Sequence, residues 1–176
     1  MKKIFYLMSL LLILSCASTK TFQSFFNEHK NDMGVTAFQV PNFMKALLGT
    51  ISPEMNGLFS NIQDFKFLTF NEISSEKKAL LIQQMNAVTA SNYKDILRKN
   101  TEEKTKIVSV IEDGDKVSEA IIFNTTLAKS SVFYLKGSFD PNTLKKVSET
   151  DGFENLSSKL LEQKFTPATP GFNSGY

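Results

Sequence analysis

Between residues 93 and 139 the apolar positions of this chain change spacing, from every third or fourth residue to every second. Four runs carry the alternation, at 93–98, 104–112, Lys116–Thr125 and 130–139, and short polar loops separate them. A period of two sends successive side chains to opposite faces of an extended strand. Loops this short join antiparallel neighbours, because a parallel pair needs a crossover of roughly a dozen residues. The clearest turn is Glu112-Asp113-Gly114-Asp115-Lys116, where Asp-Gly between alternating runs is a strong hairpin signal. The segment predicts an antiparallel meander. Val108 and Val110 are apolar, and so are Ile107 and Ile111, so part of that sheet should be covered on both faces.

Before the meander the spacing is mostly helical. Phe22, Phe25, Phe26 and His29 fall at i, i+3, i+4 and i+7, one face of an amphipathic helix. Gly34 ends it, and the β-branched run 35–40 reads as a strand. A second helix is expected from Pro41, with Phe43, Met44, Leu47 and Leu48 on its apolar side. Pro53 interrupts it, and Met55, Leu58, Phe59 and Ile62 continue the helical spacing. The aromatic alternation at 64–70 predicts another strand. Ser74 or Ser75 can cap the next helix, with Glu76 in its first turn and Leu81, Met85 and Val88 inward. After the meander, Asp140 as N-cap and Pro141 at the first helical position start a further helix, with Phe139 against Leu144. A last amphipathic stretch, 153–165, carries Leu156, Leu160 and Leu161. The expected architecture is a single α+β domain over 22–165, a mostly antiparallel sheet with helices packed against it. Residues 166–176, with two Pro and two Gly, read as a flexible tail.

The amino terminus has a different character. Lys2 and Lys3 precede an apolar run from Ile4 to Leu14, which has the size of a signal-peptide core and is too short to span a bilayer. It ends in Ile13-Leu14-Ser15-Cys16, which resembles the lipobox of bacterial lipoproteins. That resemblance implies a signal peptide at 1–15, cleavage between Ser15 and Cys16, lipidation of Cys16, and a lipidated tether at 16–21. No Asp follows Cys16, so the expected location is the bacterial cell envelope, at the outer membrane facing the periplasm.

The lipoprotein signal, the Phe-rich first helix, Gly34-Val35 and the segment from Tyr134 through Gly137, Phe139 and Asp140 to Leu144 can be taken together. They resemble the domain-of-unknown-function family numbered 4252, small envelope lipoproteins of Bacteroidetes. That family has no established catalytic residues, so the resemblance implies a location and a fold and assigns no role to any position.

The composition narrows the chemistry. One Cys excludes an internal disulfide framework and any cysteine-cluster metal site. One His excludes the common multi-histidine sites. Without Lys2 and Lys3 the remaining 18 basic residues balance the 18 acidic ones, so nucleic acid is not an expected partner. Arg98 is the only arginine, which argues against bidentate phosphate recognition. His29 reads as a helix-edge histidine beside the core rather than a general base. Glu112, Asp113 and Asp115 could gather a hard cation but lack the ladder of a calcium loop, so they read as a turn. Asn124-Thr125-Thr126 and Asn155-Leu156-Ser157 match the glycosylation acceptor pattern, coincidentally in a bacterial chain. No cofactor and no metal site are expected.

Three functions follow, in this order. The first is a non-catalytic, membrane-tethered interaction module that docks an envelope protein. The second is a carrier for an apolar ligand, lipid or acyl chain. It rests on sixteen Phe with no Trp and places a cavity between the sheet and the helices from Phe43 to Phe59. The third is a carboxylate-dependent hydrolase using Glu112 and Asp115.

Overall fold

The alternating segments form one six-stranded sheet in the computed structural model, which describes residues 20–41 and 45–162. The strands are β1 (Val35–Gln39), β2 (Ile62–Asn71), β3 (Lys94–Asn100), β4 (Thr105–Asp113), β5 (Lys116–Thr125) and β6 (Lys129–Phe139). Their order is β1-β2-β6-β5-β4-β3, and every neighbouring pair is antiparallel. β3 to β6 are the expected meander. β2 then joins the far side of β6, with Phe67 opposite Phe133 and Leu68 opposite Val132.

The described residues also form six helices: α1 (Phe22–His29), α2 (Lys45–Ile51), α3 (Asn56–Phe59), α4 (Ser75–Thr89), α5 (Pro141–Glu149) and α6 (Gly152–Glu162). Local chemistry explains where several of them start. Thr21 closes a capping box with Ser24, satisfying amide groups that the first turn of α1 leaves free. Ser74 accepts from the Lys77 amide ahead of α4. Asp140 accepts from the Thr143 amide, with Pro141 in the first turn of α5. At the β4–β5 turn Gly114 has φ +62°, the left-handed conformation that a glycine adopts without penalty.

Helices cover the sheet on both sides. Phe65, Phe67, Val108, Val110, Ile122, Phe133 and Leu135 point to one face, where they meet Leu48, Leu58 and Phe59 before β2 and Leu144, Phe153 and Leu156 after β6. Leu68, Phe70, Ile107, Ile121, Phe123 and Val132 point to the other, against Phe22, Phe25 and Phe26 of α1 and Leu81, Met85 and Val88 of α4. Burying each such side chain contributes about 1.5–3 kcal/mol, so the two layers supply most of the driving force. Val108 and Val110 lie on the first face and Ile107 on the second, as their alternation requires.

The boundaries differ in places from the sequence reading. Pro41 is not helical, and α2 is described from Lys45. Pro53 opens a short 3₁₀ turn, Pro53–Met55, that leads into α3, because a proline suits a first helical position. β2 begins at Ile62, so Ile62 ends the strand side of the junction rather than a helix. Phe43, Met44, the expected signal peptide at 1–15, all but the last two residues of the expected tether at 16–21, and the expected tail at 166–176 lie outside the described residues.

Candidate functional site

Aromatic packing docks α1 on the sheet. Phe22 stacks on Tyr134 of β6, with ring centroids 4.7 Å apart. Phe25 and Phe70 pack around His29, at 4.7 and 5.4 Å between centroids. His29 is buried, with Nδ1 2.7 Å from Asp32 Oδ2 and Nε2 3.1 Å from Gln84 Oε1 on α4. Gln84 in turn donates to Glu28 at 3.3 Å. The hydrogen bond to His29 holds the Asp32 carboxyl below its ordinary range. The single imidazole is therefore a clamp between α1, its following turn and α4.

Beside Thr21 the same face opens into a groove of about 300 Å³, lined among others by Lys20, Phe22, Lys66, Tyr93, Glu119 and Tyr134. Tyr93 donates to Glu119 Oε2 at 3.0 Å, and Lys136 Nζ lies 3.3 Å from Glu119 Oε1. Lys66 is nearly fully buried, bonds Asp64, and sits 5.2 Å from the centre of the Tyr134 ring. Burial first, then the Glu119 carboxylate, pushes both phenols far above their ordinary range. They stay protonated at neutral pH, and Tyr93 commits its one hydroxyl proton to Glu119, leaving the phenol oxygen to accept. The groove thus offers a polar floor and an apolar rim beside the first turn of α1.

Other expected residues are placed elsewhere. Glu112, Asp113 and Asp115 are exposed on the β4–β5 hairpin, and Glu112 pairs with Lys94 at 3.3 Å. They form a turn, not the concave carboxylate pair that a hydrolase needs. No group of three or more metal-ligating side chains occurs among the described residues. Arg98 is held by Asp95 at 2.6 Å and by Asn86 at 3.2 Å. Where the carrier reading places an apolar cavity, aromatic rings interlock: Phe59 with Phe65, Phe65 and Phe67 with Phe133, and Phe133 with Phe153, at 4.7–6.2 Å. Ser15 and Cys16, the expected cleavage and lipidation positions, lie outside the described residues. No described helix is long and apolar enough to cross a membrane.

The family described as Domain of unknown function (DUF4252) matches residues 26–147, more than half of the chain. The chain belongs to that family. No curated protein and no solved structure matches it. The DUF4252 match takes in the whole sheet and most of α5, and with them every groove residue except Lys20, Thr21, Phe22 and Gln23.

A second polar centre in this DUF4252 domain is absent from the sequence reading. Lys106 of β4 is 5% exposed and donates to the Ser148 carbonyl at 2.7 Å and to Asp151 at 2.8 Å. Glu154 Oε1 lies 2.7 Å from Lys106 and 2.9 Å from Lys104, as an ion pair without hydrogen-bond alignment. Asp151 has φ +57°, and this left-handed step between α5 and α6 accompanies the return of its carboxylate to Lys106. The signal was parity: Lys106 sits two residues before Val108 and must share its inward face.

Proposed function

We propose that this DUF4252 chain is an envelope lipoprotein, held on the membrane by lipid at Cys16, that works as a non-catalytic interaction module. The observation that carries the reading is the groove beside Thr21, whose phenols and carboxylate are tied to one another and whose wall is the first turn after the tether. Thr21 comes five residues after Cys16, so the start of the groove can stand no more than about 18 Å from a lipidated Cys16. A protein partner in the envelope would meet the tyrosine-lined floor and the Phe22 rim there. His29 supports the non-catalytic part, since both ring nitrogens are taken by Asp32 and Gln84. Two or more acyl chains, at about 0.8 kcal/mol per buried methylene, would hold the domain stably without a spanning helix.

Metabolic labelling with a fatty acid tests the anchor. Wild-type protein should take up label and fractionate with membranes, and Cys16→Ser should do neither. Unchanged membrane retention of Cys16→Ser would refute the lipid assignment. The purified Cys16→Ser protein should turn over no envelope substrate in an unbiased screen, and turnover would end the non-catalytic reading.

A further inference from the structure

One row of side chains crossing the sheet is polar although it faces the helices. Lys106 stands opposite Asn124, Asn124 opposite Ser131, and Ser131 opposite Thr69. All four share the face of Val108, Ile122, Phe133 and Phe67, which lie two positions away along the same strands and are buried beneath α5 and α6. Thr69 donates to the Ser130 carbonyl, and Lys106 has its carbonyl and carboxylates. Asn124 has nothing: it is 4% exposed, and neither Nδ2 nor Oδ1 finds a partner. Ser157, reaching in from α6, is 3% exposed, and its hydroxyl is equally unpartnered. Buried polar side chains are almost always hydrogen-bonded, and an aliphatic residue at either position would avoid the desolvation cost.

Both residues line a pocket of about 210 Å³. That is the share of about seven liquid waters, well beyond what one bridging water needs. Lys104, Lys129, Ser131 and Glu154 complete its wall. Two of these charges are already neutralised, because Glu154 pairs with Lys104 as well as with Lys106. The unmet demand is for one donor and one acceptor side by side for the Asn124 amide, a hydroxyl for Ser157, and O–H or N–H donors for the Glu154 carboxylate, whose two oxygens also lack a hydrogen bond.

We propose that this pocket binds a neutral saccharide unit carrying an acylamino group. The secondary amide of such a ligand donates to Asn124 Oδ1 and accepts from Nδ2, a reciprocal pair. Its ring hydroxyls meet Ser157 and Ser131, and donate to the Glu154 carboxylate and to Ser158, whose own proton goes to the Glu154 carbonyl. A peptide would satisfy the amide but not these hydroxyl positions, and an anion would lie against the Glu154 carboxylate in the same pocket. The site lies on the opposite face of the sheet from the groove beside Thr21, so it stands or falls independently of partner docking there.

The test is a titration of the full lipidated chain in detergent, followed by amide resonances, with three probes: N-acetylglucosamine, glucose and N-acetylalanine methylamide. N-acetylglucosamine should give saturable shifts confined to 124–131 and 154–158, with the other two at least ten-fold weaker. Asn124→Leu should lose binding by ten-fold or more. Should that variant fail to fold, Ser157→Ala should still weaken binding several-fold, and Tyr93→Phe in the groove should leave it unchanged. Absence of saturation, binding untouched by Asn124→Leu and Ser157→Ala, or a preference for the peptide amide would each overturn the proposal.

Discussion

Phe22 lies flat on Tyr134, with ring planes only 10° from parallel and centroids 4.7 Å apart, so the first residue of α1 is fastened to β6 far along the chain. The contact joins the start of α1 to the central strands, and Phe22 also touches Phe25 and Phe26. Replacing Phe22 by Ala should cost about 3 kcal/mol, because a nearly buried ring is removed and a void is left against the sheet. Urea unfolding gives the magnitude, and amide exchange should show α1 losing protection ahead of β6. Phe22→Leu should recover more than half of the loss.

Tyr93 and Tyr134 share Glu119, and the folded state keeps both phenols neutral to higher pH than an unfolded chain would. A group whose pKa is raised on folding contributes stability below its unfolded value and loses it as pH climbs beyond that value. Stability should therefore fall above about pH 10, where the unfolded phenols ionise. Absorbance near 295 nm should show two tyrosines resisting ionisation until the protein unfolds. Glu119→Gln removes the carboxylate but not the burial, so their titration should move down without becoming ordinary. A full complement of normally titrating tyrosines in folded protein would contradict the geometry.

The sequence reading succeeded where local signals were self-sufficient and failed where they were not. Phe22, Phe25, Phe26 and His29 predicted α1 because a helix face is written within eight residues. Asp113-Gly114 and Asp140-Pro141 predicted a hairpin and a helix start through backbone chemistry alone. The pairing of β2 with β6 could not be read, because its partners lie about sixty residues or more apart and no short pattern links them. The groove was invisible for the same reason: Tyr93, Glu119 and Tyr134 come from three separate segments. Lys106 and Asn124 were legible in principle. Their two-residue parity with Val108 and Ile122 turned them inward, but polar residues in an alternating run give no sign by themselves of a buried position.

Gly137 of β6 sits against the backbone of the turn before β2. A Cβ there would lie 2.2 Å from the Asn61 carbonyl oxygen, which accepts from the Ser138 amide at 3.3 Å. A backbone obstacle cannot rotate away, so Gly137→Ala must push the turn after α3 off the sheet. The expected loss is about 2 kcal/mol, in the range of overpacked interiors. It should appear as a lower urea midpoint with an unchanged slope, and Gly57→Ala, where nothing stands within 4 Å, is the matched control.

Asp151 makes acid the informative direction for the second polar centre. Its hydrogen bond from Lys106 holds the carboxyl at about 2, against an ordinary 3.8. A lowered pKa contributes stability above the unfolded value and loses it as pH falls from about 4 towards 2. The Asp151 side chain is 58% exposed, so solvent screening should keep the effect below about 1 kcal/mol. Asp151→Asn should flatten that part of the stability curve while barely changing neutral stability. Lys106 is another matter, because it is buried and its loss strands the Ser148 carbonyl and leaves Glu154 with Lys104 alone. Lys106→Ala should cost about 3 kcal/mol at neutral pH, and Lys106→Met, which keeps the stem packed, should cost less. If the alanine variant were as stable as wild type, the buried ammonium would not be what joins β4 to the α5–α6 turn.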